Sequence, residues 1–565
     1  MHSNAAVPEQ DVQRQIARAQ RGFRWAIAAF ALLNCWTCRF IMNPDGVSYQ
    51  DMGDQFWRGN WHDALNSYWS PLYGWLIGLI FRIARPAMAW QYPVVHLLNF
   101  AILLAALFCF EFFWRELLAW REDKNRGGES EPYAWALGYL LFAYVHFVFH
   151  PLELVTPDLI VAALVYLASG WMLRFAAGRM STAYAGLLGV VLGVGCLAKA
   201  AMFPFAVVVL ATMFAVACKR RAGKWLAGTA LLGFLAISIP FIAALSWNAH
   251  RFTLGDSGKL NVAWLVNGAV PTDDHSQSSS SPVDPLRRTR KLLGWPAVYE
   301  FSTPVAGTFP VWYDPAYWCA GIDTHLHPAR VIVTFAKNMV HYAGDMLVDT
   351  GFLTAVLLLL FLLSDQVREA WRRLMGFWPV LVPAVAVILM YAMVVLETRY
   401  FSGVTAVVWG AVAASTGIAR EEWRTRVFRA ACLALGGLLV CTALWTLSAG
   451  HAKNGQSAKQ VAVAERLRSM GMKPGDRVAL IGNGFHELSW ARLERVKIVA
   501  EVPEETATDD SAAAFWSSAP QGERTVLDLL KTTGATAVIA DAPPAVLPPG
   551  WLRVGDTGHA VYFFQ

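Results

Sequence analysis

The chain of 565 residues is 56% hydrophobic and only 16% charged, with 25 Trp and 32 Phe. That balance excludes an ordinary soluble globular protein and points to a polytopic membrane chain whose aromatic side chains favour the water interfaces. The net charge of +6 is dispersed over short Arg/Lys clusters, as in positive-inside loops, so nucleic acid is not expected as a partner.

The eight cysteines sit mostly inside apolar runs, with Cys319 the one clear candidate for a soluble loop, and no disulfide framework is expected. Cys35 and Cys38 form a CxxC inside an apolar helix, where packing is the simplest role.

After residues 1–23, a cytoplasmic N-terminus, and with Arg14, Arg18, Arg21 and Arg24 ahead of it, comes the first apolar run, which is longer than a signal-peptide core and lacks a small-residue cleavage site. An uncleaved anchor with a cytoplasmic N-terminus is expected. Apolar runs of spanning length then centre on residues 25–42, 91–113, 132–149, 158–176, 182–198, 200–218, 225–247, 345–364, 374–396, 401–419 and 427–447. They make about eleven spans, at about 20 residues each, across a domain at 24–447.

The run PLYGWLIGLIFRIA (71–84) is short and ends at Arg82 and Arg85. Counting it as interfacial puts the basic loops at 120–126, 218–224, 367–373 and 419–426 on the cytoplasmic side with the N-terminus. The loops at 43–90 and 248–333, the tip ETRYF (397–401) and everything after about residue 448 then lie outside the cell membrane's cytoplasmic face.

The long connection holds HSQSSSSP (275–282), a flexible polar insert, and TFPVWYDPAYW (308–318), which reads as an ordered loop on the membrane surface. From 455 to 565 helical and strand patterns alternate: an amphipathic helix, then RVALIG, RVKIVAEV and TAVIAD as strands, TVLDLLKTTGA as a helix, and a closing hairpin. A small soluble α/β domain is expected there. Its GNG at 482–484 is not a dinucleotide fingerprint.

On this parity, charges gather where spans meet the outer interface: Asp45, Asp51 and Asp54 in NPDGVSYQDMGD, Glu153 and Asp158 in HPLELVTPD, Lys199 in GCLAKA, and Glu397 with Arg399 in ETRY. Each has an ordinary explanation. Asp51 and Asp54 read as the solvated face of a surface helix, Asp45 and Asp158 as helix starts, and Lys199 as a snorkelling side chain. Together they supply both a carboxylate suited to general base work on a hydroxyl and cations suited to a phosphate.

The order of these motifs resembles the integral-membrane C-type (GT-C) glycosyltransferases: a first span, PDGxxY in an acidic aromatic loop, YWSPLYGWLIGL, TPD, GCLAKA and ETRY, over about residues 20–420. It is most similar to the branch of protein O-mannosyltransferases, lipid A aminoarabinose transferases and bacterial lipopolysaccharide sugar transferases. The resemblance implies transfer of a sugar from a polyprenyl-phosphate donor on the outer leaflet of the cytoplasmic membrane, to a lipid, glycan or protein acceptor. It implies a catalytic carboxylate at Asp45, a second acidic position at Asp158, and an interfacial helix after the first loop. Gly46 departs from the many members that carry a second acid beside the first.

On that footing Asp45 acts as base with inversion at the anomeric carbon, and Asp158 or Glu153 positions the acceptor or a cation. Lys199 and Arg399, helped by Arg82 or Arg85, hold the phosphate, while Tyr49 and Tyr400 bond the donor. No tight His/Asp cluster is visible, so neither metal nor other cofactor is expected, and His325 with His327 is a lone HxH. A transporter or flippase of a lipid-linked or anionic substrate is the rival reading; it usually places charges at mid-membrane in repeated halves, and no repeat is evident.

Overall fold

The computed structural model describes residues 9–125, 132–149, 152–267, 290–301, 305, 307–313, 324–325, 327–348, 351–364, 366–416, 421–482, 488–504 and 510–565. The insert at 275–282, Cys319 and part of the GNG lie outside them. The chain is mostly helical. In order come α1 (Glu9–Thr37), α2 (Pro44–Trp57), α3 (Trp61–Ala64), α4 (Pro71–Ala84), α5 (Gln91–Asn125), α6 (Pro132–Tyr144), α7 (Asp158–Ala176), α8 (Thr182–Ala198), α9 (Met202–Arg220), α10 (Lys224–Asn248), α11 (Ser257–Leu265) and α12 (Pro310–Tyr313). Beyond them lie α13 (Pro328–Val348), α14 (Gly351–Leu362), α15 (Val367–Gly376), α16 (Trp378–Ala392), α17 (Thr398–Ser415), α18 (Glu421–Ser469), α19 (Ser489–Glu494), α20 (Ser511–Ser517) and α21 (Pro520–Thr532).

Among the described residues five helical segments are long and apolar enough to cross a membrane: Met88–Arg121, Asp158–Ala176, Met202–Arg220, Lys224–Asn248 and Thr425–Ser469. Pro71–Ala84, Pro132–Val148, Thr182–Ala198 and Trp378–Ala392 are apolar but shorter. The difference from about eleven runs has a local cause: helices stop where the hydropathy does not. The first stops at Thr37, five residues short of its apolar run, and α16 stops at Ala392, four short of its own, whereas α8 ends with its run at Ala198, where Lys199 turns extended at φ −157°, ψ 136°.

α4 has 14 residues, so it rises about 21 Å, well under the hydrocarbon thickness of about 30 Å. It packs against α2 through glycines. A Cβ on Gly53 would collide with the Gly74 carbonyl and sit 2.9 Å from the Gly78 nitrogen.

Seven strands form one sheet: β1 (Arg290–Leu293), β2 (Val298–Glu300), β3 (Arg477–Gly482), β4 (Lys497–Pro503), β5 (Ala537–Asp541), β6 (Trp551–Arg553) and β7 (His559–Phe563). The strand order is β1-β2-β4-β3-β5-β7-β6, with β4, β3 and β5 parallel and the outer pairings antiparallel. The two strands from the long connection thus extend a sheet whose centre comes from the C-terminal segment. Val298, Phe301, Phe309 and Trp312 share its core with Val478, Ile481, Trp490 and Ile539.

α18 runs 49 residues without a break, joining the last apolar run to the amphipathic helix that the sequence set apart from residue 455. No proline interrupts GHAKNGQS, and Gly450 and Gly455 alone are tolerated inside it.

The α2–α4 contact generates a prediction. Gly53→Ala should cost about 1–3 kcal/mol, because backbone atoms cannot retreat from the added methyl. A lowered melting temperature in detergent checks it, and an unchanged one would mean that α2 and α4 are not so close.

Candidate active site

Asp45 stands in the first turn of α2, behind Pro44, where the free N–H groups of a helix start favour a carboxylate. Asn43 precedes the helix, and its Oδ1 accepts from the Val155 N–H at 2.9 Å. This bond ties the first loop to the loop before α7, and so brings Asp45 beside Asp158. The space for a second acid next to Asp45 does not exist. A Cβ on Gly46 would lie 2.6 Å from Met42 Sδ and 2.7 Å from Val155 Cβ, which accounts for glycine there.

Arg399 Nη1 reaches Asp45 Oδ2 at 3.2 Å, while its Nε donates to Glu397 Oε2 at 2.7 Å. Lys199 Nζ donates to Asp158 Oδ1 at 2.5 Å and sits 3.7 Å from the centre of the Tyr400 ring. The Asp158 side chain is 2% exposed and that of Lys199 21%, so the carboxylate of this pair is nearly desolvated and the ammonium largely so. The extended backbone at Lys199 turns that side chain off the end of α8 towards α7.

Asp45, Asp158, Lys199, Arg399 and Tyr400 line one cavity of about 350 Å³, walled also by Tyr49, Tyr68, Trp69, Thr156, Asn261 and Tyr391. Tyr49 packs edge-on against Trp69 and Tyr73, and Tyr391 stacks on Tyr400 at 5.3 Å. A second, more open cavity of about 570 Å³ is lined by Asn43, Leu154, His341, Asp345, Glu397 and Thr398. Asp45 and Arg399 line both.

Withdrawal from bulk water pushes the Asp45 carboxyl above the usual carboxylate range, and the Arg399 guanidinium chiefly opposes that shift. The same withdrawal raises the Tyr68 phenol, assisted by the Asp45 charge.

The structure thus brings together Asp45, Asp158, Tyr49, Lys199, Arg399 and Tyr400. Three other expected residues stand apart. Glu153 is held by Lys453 of α18 at 2.7 Å, and Arg82 and Arg85 are exposed at the far end of α4; none of the three lines either cavity. Glu397 lines the second cavity and supports Arg399.

Asp51 and Asp54 are not a solvated face. Asp51 is 7% exposed and accepts from both the N–H and the hydroxyl of Thr308, at 2.7 and 3.0 Å. Both aspartates face the buried Arg492.

Tyr68, Trp69, Asn261 and Tyr391 went unassigned in the sequence. YWSPLY offered the signal for the first two, whereas Tyr391 lies inside an apolar run and Asn261 in the long connection. His325 and His327 place their rings 6.2 Å apart. Among the described residues no group of three or more His, Cys, Asp or Glu is placed to hold a metal ion.

No protein-family model matches the chain, and no curated protein matches its sequence. Solved structures do match its fold. ArnT from Cupriavidus metallidurans in the apo state aligns over 96% of this chain and 98% of that one, at 13% identity and a TM-score of 0.53. The same protein bound to undecaprenyl phosphate aligns over 96% and 97%, at 12% identity and a TM-score of 0.52. The Archaeoglobus fulgidus oligosaccharyltransferase in complex with Zn and sulfate aligns over 92% of this chain and 68% of that one, at 13% identity and a TM-score of 0.49. The resemblance to GT-C glycosyltransferases therefore extends, through ArnT, to the fold.

The buried pair generates a second prediction. Lys199→Met leaves Asp158 charged without its ammonium and should cost about 3–5 kcal/mol, whereas the Lys199→Met/Asp158→Asn double variant should recover most of it. Thermal unfolding of the four proteins in detergent checks it; simple additivity would show that the pair is not coupled.

Proposed function

We propose that the chain is a membrane glycosyltransferase that moves a sugar from a polyprenyl-phosphate donor to an acceptor hydroxyl, with Asp45 as general base. One observation carries the reading: Asp45, with Arg399, sits on the wall shared by two cavities, one of them rich in aromatics and holding Lys199. A two-substrate transfer needs a base between its substrates, within reach of one hydroxyl and one anomeric carbon. The ArnT-like fold supports the same reading, and so does the match to ArnT bound to undecaprenyl phosphate.

In this account the donor phosphate lies by Lys199 and Arg399, and the sugar rests among Tyr49, Tyr68 and Trp69. The acceptor enters from the second cavity. Asp45 takes the hydroxyl proton, the acceptor oxygen attacks C1 from the face opposite the phosphate, and the C1–O bond to phosphate breaks. Polyprenyl phosphate leaves carrying the bonding electron pair, and the configuration at C1 inverts. The protein's task is to orient the two substrates and to stabilise the departing anion, which the two cations are placed to do.

Asp158 fixes Lys199, and Glu397 fixes Arg399. The cations thus reach the phosphate already oriented, and the neighbouring carboxylates limit their net charge. The reaction takes place at the outer face of the cytoplasmic membrane, with the N-terminus inside and the segment after α18's apolar stretch outside. The apolar helices other than α4, including those shorter than a full span, are read together as the membrane domain of about eleven crossings.

The pH dependence tests the assignment of the base. Asp45 must be ionised to accept a proton, and its folded-state affinity for a proton is raised. Release of polyprenyl phosphate should therefore fall off on the acid side at a pH above that of an ordinary aspartate, about 3.9. Arg399→Leu removes the cation that opposes the shift, so the acid limb should move further up in pH while the maximal rate falls. An acid limb that stays put in Arg399→Leu would assign the titration to another group.

A further inference from the structure

Arg492 is 1% exposed and lies on α19, more than 400 residues along the chain from the helix it touches. Its Nε stands 3.1 Å from Asp51 Oδ1 and its Nη2 donates to Asp54 Oδ2 at 2.9 Å. Arg495 approaches Asp54 at 4.0 Å. The neighbourhood is anchored by the Tyr92 hydroxyl, which donates to the Ser489 carbonyl at 2.5 Å. Both aspartates belong to α2, the helix that begins with Asp45. That helix is pressed on α4 through Gly53 and is held by Thr308 through Asp51.

A buried guanidinium facing two carboxylates is a costly device for stability alone, because apolar packing would serve there as well or better. Its geometry has another consequence. α2 is a short rigid rod, and whatever fixes its middle fixes Asp45 at its end.

We propose that Arg492 is a positioning residue for Asp45: the segment after α18 sets, through Asp51 and Asp54, the distance of the base from Arg399. The proposal rests on the reading of Asp45 as the base, but the placement of that side chain can be followed without turnover. Arg399 and Glu397 come from α17 and the turn before it, so the base and its cation are held by separate parts of the chain. Arg492 ties one of those parts down.

The test compares wild type with Arg492→Lys, which keeps the charge but cannot span both carboxylates, and with Asp54→Asn, which removes one arm. Two readouts are used. The first is release of polyprenyl phosphate from a polyprenyl-phosphate sugar, separated into kcat and KM. The second is labelling of Asp45 by dicyclohexylcarbodiimide, which attacks the protonated carboxyl, followed by mass spectrometry.

Displacement of the base by about 1 Å should lower kcat roughly 10- to 100-fold, with the donor KM changed by no more than about 2-fold. Asp45 labelling should rise, because a carboxyl drawn away from Arg399 holds its proton more readily. A folded Arg492→Lys protein with wild-type kcat and wild-type labelling would overturn the proposal. So would a loss of activity that only tracks the loss of folded protein. If wild type releases no polyprenyl phosphate while labelling still responds to Arg492→Lys, the positioning role stands and the transferase reading falls.

Discussion

The ion pair between Asp45 and Arg399 is the constraint on which the rest of the site depends. One partner starts α2 and the other starts α17, and they meet where two cavities adjoin. A carboxylate taken out of bulk water beside a cation is neither a free base nor a spent one. Burial raises its proton affinity, and the cation beside it opposes that rise. The second pair, Asp158 with Lys199, lines the same cavity, which thus holds two carboxylates and two cations.

Much of the surrounding structure serves to place α2. Glycines let it lie against α4, and the Asn43 side-chain oxygen just before it accepts from the Val155 N–H. α12 also closes on it: the Ser48 hydroxyl donates to the Trp312 carbonyl at 2.9 Å, and the Trp69 indole donates to the same oxygen at 3.1 Å. The aromatic, proline-rich stretch read from sequence as a surface loop is, over residues 308–313, a brace for the first loop. The sheet then reaches the same helix through Arg492. Membrane helices, the long connection and the C-terminal segment therefore all converge on one short helix.

Legibility in the sequence followed the range of the physics involved. Apolar runs, a helix start at PDG and the strands RVALIG and TAVIAD depend on neighbours in the chain, and these elements stand where their local patterns put them. Asp45, Asp158, Lys199 and Arg399 came to notice because charge is scarce near lipid. What was not legible depends on contacts across hundreds of residues. Asp51 and Asp54 look solvated until Arg492 arrives from α19. Glu153, Arg82 and Arg85 look like site residues until folding points them elsewhere. The strands at 290–293 and 298–300 are too short to announce themselves, and only pairing with β4 makes them part of a sheet. The number of full spans was also obscured, since helix ends are set by geometry at Thr37 and Ala392 rather than by where the apolar run stops.

The role proposed for Asp45 is removal of the acceptor proton in a transfer from polyprenyl phosphate. The most direct measurement compares wild type with Asp45→Asn at equal expression in membranes supplied with pooled polyprenyl-phosphate sugars, following free polyprenyl phosphate. Asparagine keeps the shape and the reach of the side chain but cannot take the proton, so release should fall by about 10²- to 10⁴-fold. Equal release by the two proteins would contradict the claim and leave Asp45 as a partner for Arg399 and nothing more.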